Sequence, residues 1–411
     1  MSQPPHIDPL RVVIVGGGIA ALEAVLALHD LGNAQLRVTL IAPEPDFTMR
    51  PLAVAAPFNR GRVDRLGLQQ VMAEHGGRFV RGAVLSVDAD ARVVTLSSGA
   101  DIAYDALVLA LGARAVPAFL HAQTFGAEPL ALNGIVADLE QGWTTSVAFV
   151  VPRGCAWPLP LYELALMTAQ DVWAMNIDRV DIHFVTPELE PLGLFGRRAS
   201  AAVAELLDAA EITLHRGVHA QIPYSGCIDT GAGRLLNVDS VIALPLLEGR
   251  KLDGIPSTAH GFIPVDDAGL VEGLDRVYAV GDATDRPIKQ GGLACQQADV
   301  TAAHIAALAG APIEVPPLTQ VLHGRLLTGT GDRFLRRDPA EVQGAWSDAP
   351  LSWSTAKVSG EYLSPYLVAK DVVHLPVRTP RPAAGMDVHV PLTWQQRRSA
   401  EVLGLSPLGS I

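Results

Sequence analysis

An α/β fold of two three-layer domains with a small C-terminal region is predicted by three observations. The stretch Arg11 to Gly32, RVVIVGGGIAALEAVLALHDLG, is a short apolar strand, a glycine turn and a helical pattern in immediate succession. The stretch TTSVAFVVPRGCAWPLPLYELALMTA, from Thr144, repeats the strand, turn and helix order. A third apolar strand, Val277 to Val280, ends in Gly281-Asp282 and leads into another helical pattern.

The first unit is built to hold a pyrophosphate. Gly16 permits the tight turn, Gly18 lets the backbone approach the phosphates, and Ala21 is small enough for close packing of helix on strand. The helix N-terminus adds free N–H groups and the positive end of its dipole. A second strand, RVTLIAPEPDF, ends near Ile41. An acid about twenty residues past the glycines usually accepts the adenosine ribose hydroxyls; Glu44 is the nearest candidate, with a solvated loop glutamate as the alternative. The apolar loop MRPLAVAAPF, with Arg50 and Pro51, borders either a bound ring system or a domain interface.

Short alternating strands from Gly76 to Ser97 read as a small appended sheet, and Tyr104 to Leu120 as a core strand. In the second strand–turn–helix unit the turn departs from the first: Pro152 to Pro160 contain one glycine, the bulky Trp157 and three prolines, which remove N–H donors where a phosphate needs them. The endings LIAPE and FVTPE echo one another, as in a duplicated fold. His183, His215 and His219 read as scaffold residues.

Taken together, the opening glycines, Tyr104-Asp105 before Ala110-Leu111-Gly112, and Gly281-Asp282 resemble the two-dinucleotide-domain flavoproteins, the pyridine nucleotide-disulfide oxidoreductase superfamily, with Leu111 in place of the usual threonine. The resemblance implies two Rossmann-like domains, the second with a degenerate NAD site, and FAD as cofactor. The expected boundaries are 1–125 and 257–315 for the FAD domain, 126–256 for the NAD-like domain and 316–411 for the C-terminal region. It further implies that Gly16, Gly18, Ala21, Glu44, Arg50, Gly112, Gly281, Asp282 and Lys289 line the FAD site, and that the helix from Gly291 directs its positive end toward the flavin.

Within the superfamily, Pro160-x-Tyr162-Glu163, Pro287-x-Lys289-x-Gly291 and the tryptophan–lysine segment WSTAKV resemble sulfide:quinone oxidoreductases and type II NADH dehydrogenases. The implied function passes electrons from a small donor through FAD to a quinone-like acceptor. The rivals are an NAD(P)H dehydrogenase tolerating the altered turn and a flavin-binding regulatory protein. The cysteine pair of the sulfide enzymes would fall at Trp157 and near Gly324 or Arg325, where this chain has none. Cys155 and Cys295 are the alternative redox pair, and with Lys289 the candidate catalytic residues.

The composition fits this reading. At 411 residues and 49% hydrophobic content, the chain has ample core for two or three domains. A net charge of −12 without a lysine or arginine cluster argues against nucleic acid. Three separated cysteines, with no CxxC and no metal-ligand spacing, point to a reducing cytoplasm, no disulfide-reductase chemistry and no structural metal. No apolar run reaches the ~18 residues of a membrane span, and MSQPPHIDPL lacks an export signal. Trp394, Arg397, Arg398, Val402 and Leu403 form either an interfacial helix at the inner face of the membrane or one docked on a neighbouring subunit or domain, a homodimer being expected.

Overall fold

A computed structural model describes residues 8–374, apart from 61, 64, 127–130, 178–179, 232 and 352–354. The first strand, Leu10–Val15, lies at the centre of a parallel sheet in the order Val277–Ala279, Ala106–Leu109, Leu10–Val15, Leu36–Ala42, Arg78–Arg81. Its unbroken apolar run is explained by burial on both faces. Val12 and Ile14 meet the helices Ile19–Gly32 and Gly291–Leu308, while Val13 and Val15 meet a three-stranded antiparallel sheet of Val84–Asp88, Val93–Leu96 and Asp101–Ala103. The sheet is therefore completed by a strand and helix about 265 positions downstream of the opening glycines.

The second parallel sheet runs Gln123–Thr124, Ser240–Ala243, Ser146–Val150, Asp181–Thr186, Thr213–Arg216. Val147 and Phe149 face the helices Leu159–Ala174 and Arg197–Ala209; Ala148 and Val150 face a small sheet holding Ile222 and Ile228. Two of the scaffold histidines meet here. His183 Nδ1 lies 3.3 Å from His215 Nε2 across neighbouring strands, a contact that sequence separation conceals.

Tyr104 to Leu120 is not one core strand. Only Ala106–Leu109 is a sheet strand; Gly112, at φ +64°, turns the chain out, and Ala113–Val116 pairs antiparallel with Leu246–Gly249 as a ribbon between the sheets. The loop 50–58 is a 3-10 turn wedged between the cores, with Leu52 in the first and Val54, Ala55 and Phe58 in the second. The domain-interface reading of that loop is the one the structure supports.

The C-terminal region divides its contacts. The glycine-turn hairpin Leu322–Leu326 and Arg333–Arg337, extended by Ala345–Ser347, packs Leu322, Leu326 and Leu335 on the second core. The following strap returns to the first, burying Val358, Leu363, Leu367 and Val372 there. Trp353 and the expected helix around 394–403 lie outside the described residues.

Candidate functional site

The three signature segments converge on one end of the first sheet. Gly16, at φ +126°, donates its N–H to the Ile41 carbonyl at 2.8 Å and lies so close to the neighbouring strand end that a Cβ would fall 2.1 Å from the Ala110 oxygen. Gly281, at φ +71°, fits between Ala20 and Ala294, 3.1 and 3.3 Å from where its Cβ would be, and donates its N–H to Gln297 Oε1 at 2.8 Å. Glycine is required at both positions because the turns approach backbone or helix at sub-methyl distance. Gly18 is exposed, with nothing within 4 Å of a would-be Cβ, and the first-turn N–H groups of the helix Ile19–Gly32 begin beside it. Ala21 is fully buried under that helix.

This cradle fits an FAD. It offers open backbone donors at a helix N-terminus for the pyrophosphate and, across Gly281, the carboxylate of Asp282, which no hydrogen bond from the described residues reaches. Burial pushes the Asp282 carboxyl up, and Lys289 opposes that shift. Lys289 itself is buried, donates to the Thr284 carbonyl, and lies 3.9 Å above the Phe262 ring. Burial lowers its ammonium to about 8 against the pull of Asp282 and Asp285. The structure thus places Lys289 as a fastening of the turn that carries Asp282. Gln290 caps the next helix by accepting the Leu293 N–H at 2.8 Å. Glu44 and Arg50 are exposed, and Gly112 opens on free space.

The matching turn of the second domain is closed. Trp157 packs edge-on against Phe195 at 5.7 Å, and the helix starts at Leu159 with Pro160 in its first turn. The acid at the end of the second strand is engaged as well: Glu188 Oε2 accepts from the Tyr162 hydroxyl at 2.6 Å and from Thr186 Oγ1 at 3.0 Å. Gly324 approaches the same cluster, its would-be Cβ 2.7 Å from the Phe195 ring and 3.0 Å from Leu159. Trp157, Phe195, Leu159 and Gly324 therefore meet in one packed cluster.

The alternative pair is not assembled. Cys155 packs at the edge of the second core, while Cys295 is fully buried in the first, beside Glu23 and Gly360. Burial pushes the Cys155 thiol up to about 11 and the Cys295 thiol well above its ordinary value, which disfavours the thiolate of each. Titration of free thiols in denaturant is expected to return the same count for oxidised and reduced enzyme. A drop of two in the oxidised form would restore the pair.

Two buried polar clusters were not legible as such in the sequence. Glu163, wholly buried, pairs with Lys357 of the strap and accepts the Leu327 N–H at 2.9 Å. Lys357 also donates to the Arg325 carbonyl at 2.7 Å, and Arg325 reaches Asp332 at 2.6 Å. Burial pushes Glu163 up and Lys357 down, each opposed by its partner. Arg325, Lys357, His323 and Ser359 line a small cleft here, and Gln290 donates to the His323 carbonyl at 3.0 Å, tying the cleft to the Gly291 helix. The second cluster joins Glu23, Asp299 and the strap. The one signal for it was an acid inside an otherwise apolar helical pattern at Glu23.

The chain is an FAD-dependent oxidoreductase, as its relatives support. Residues 10–140 match the family described as pyridine nucleotide-disulphide oxidoreductase. The ferredoxin reductase component of chlorobenzene dioxygenase from Cupriavidus sp. (strain PS12) is 28% identical over 358 residues, 78% of this chain and 80% of that protein. The sulfide-quinone reductase of Aquifex aeolicus (strain VF5) is 29% identical over 218 residues, 48% of each chain. The solved structure of the sulfide:quinone oxidoreductase from Aquifex aeolicus superposes with a TM-score of 0.72 at 21% identity, covering 82% of this chain and 86% of that one.

Proposed function

We propose that this oxidoreductase accepts electrons from a small donor other than NAD(P)H and passes them to a quinone-like acceptor. FAD supplies the two-electron redox chemistry when bound. The observation that carries the reading is the contrast between the two nucleotide turns. The first leaves its backbone donors and Asp282 open. The second has Trp157 packed on Phe195, proline where an N–H is needed, and Glu188 already bonded to Tyr162 and Thr186. A dinucleotide there would have to displace a half-buried hydrogen-bonded acid and an aromatic contact, losing interactions that the open first turn never makes.

On this reading, the chain's own residues position and exclude. The strap covers the start of the Gly291 helix, with Val358 against Gly291 and the Ser359 carbonyl near Gly292. It delivers Lys357 to Glu163 and to the Arg325 carbonyl, so this buried cluster fastens the strap to the second core. Lys289, Cys155 and Cys295 take no part as proton donor or nucleophile; Lys289 holds the Asp282 turn. No helix among the described residues is long and apolar enough to cross a membrane, and contact with a membrane-dissolved quinone would be peripheral.

Anaerobic stopped-flow mixing tests the donor. Bleaching of the flavin absorbance by NADH or NADPH is expected to be slow and unsaturated at millimolar concentration, whereas at least one of sulfide or small thiols bleaches it within seconds. Fast reduction by NADH with micromolar affinity overturns the donor assignment. No reduction by any of them favours a regulatory flavoprotein.

A further inference from the structure

Two histidines of the second domain, neither used by the redox site, converge on one face of its sheet. The neighbouring parallel strands Asp181–Thr186 and Thr213–Arg216 pair His183 with Thr213 and Val185 with His215, so the two rings are diagonal neighbours. Ile182 and Phe184 turn inward to the helices, whereas Val185 packs with Ile222 and Ile228 under the small sheet. By alternation along the strand, His183 and His215 stand on the small-sheet side. Thr213–Arg216 is the edge strand, and both rings are half-buried, so solvent still reaches them.

Their nitrogens are set at a chelating distance. His183 Nδ1 and His215 Nε2 lie 3.3 Å apart, with the ring planes inclined at 42°. Two nitrogens bound to one tetrahedral zinc ion, each at about 2.0–2.1 Å, stand about 3.3 Å from one another. Each ring axis must turn by roughly 35° from the N···N line to aim at a shared ion, and the broad outer torsion of histidine supplies that swing without moving a strand.

We propose that His183 and His215 form an open two-histidine site for a divalent cation of the zinc, nickel and copper class, which staples the edge strand to its neighbour. Neutral imidazole is the ligand those ions favour. Binding exchanges the N–H···N hydrogen bond for two metal–nitrogen bonds. The bridging hydrogen moves through water to the other nitrogen of its own ring, so both imidazoles ligate neutral and no net proton is released. Burial lowers both rings below the ordinary histidine value, and for His183 the charge of His215 adds to this, keeping the ligating form at neutral pH. Asp181 faces His183 and favours a cation there, whereas Arg234, from a turn of the small sheet, faces His215 and opposes one. No third His, Cys, Asp or Glu completes a ligand set among the described residues. Water fills the remaining positions, which makes the site exchangeable rather than a closed structural centre. The site is independent of which donor or acceptor the enzyme uses, and its readout needs no turnover.

Isothermal titration of the chelator-stripped, flavin-loaded full chain with zinc chloride tests it. One saturable site is expected at neutral pH, weakening as pH falls toward about 5.5, where protons compete for the rings. Magnesium, which takes oxygen ligands, should give no saturable heat. His183→Ala and His215→Gln should each lose the site, the glutamine keeping a hydrogen-bonding group beside His183, while His219→Ala retains it. Copper(II) bound to the wild type should show paramagnetic-resonance coupling to two ring nitrogens; coupling to one or none overturns the pair as ligands. So does the absence of saturable zinc binding, or a site that survives in either folded variant. If neither variant folds, hydrogen exchange of the wild type decides: zinc should slow exchange in peptides covering 211–217 and leave the first strand level, and an unchanged rate overturns the staple.

Discussion

Gly16→Val is expected to yield a chain that no longer retains flavin. The valine Cβ would start 2.1 Å from the Ala110 oxygen at a backbone φ of +126°, which side chains of L-residues rarely adopt. The obstruction is backbone, so no rotamer relieves it. The turn must separate from the Ala106–Leu109 strand end, breaking the Gly16 N–H bond to Ile41 and moving the helix N-terminus off the pyrophosphate position. The readout is the flavin absorbance of purified protein relative to that at 280 nm. Gly18→Ala is the control, because its Cβ meets open space in the protein and can interfere only with a bound phosphate. It should purify folded, with weakened retention. A fully loaded Gly16→Val protein would contradict both the cradle and its assignment to FAD.

The second large effect is expected at Lys357. Its ammonium and the Glu163 carboxylate share a dry site, each more than nine-tenths buried. Lys357→Met leaves Glu163 with only the Leu327 N–H and must bury an uncompensated carboxylate or protonate it, at a cost of about 3–5 kcal/mol. Glu163→Gln in the same chain removes the stranded charge while its amide oxygen still accepts from Leu327. The double variant should therefore recover most of the loss, a coupling that a thermal-melt cycle of wild type, both single variants and the double variant measures. Additive effects would show that the two groups do not share a field.

Glu163 also shows where sequence reading stops. It was visible inside Pro160-x-Tyr162-Glu163, yet nothing local announced that Lys357, 194 positions away, would meet it. Glu188 is the reverse case. The echo of LIAPE in FVTPE marked it as the counterpart of Glu44, but only the fold shows Glu44 exposed and Glu188 bonded to Tyr162. Local sequence records which residues the backbone can tolerate, whereas charge pairing depends on which surfaces tertiary packing brings together.

The glycines were legible because their requirement is local. Positive φ and the approach of helix to strand leave a pattern within ten residues, and Gly16 and Gly281 show both. The strand and helix order was legible for the same reason, since burial on both sheet faces writes continuous apolar runs. Tertiary structure alone decided that Tyr104 to Leu120 divides at Gly112, that Cys155 and Cys295 belong to different cores, and that Lys289 turns back to Thr284. It also brought Glu23 under the strap. By itself the sequence determined which segments must turn, pair and hold a phosphate. The polar groups that neighbour that site were set by long-range packing, where the low polarity of the interior makes every unpaired charge costly.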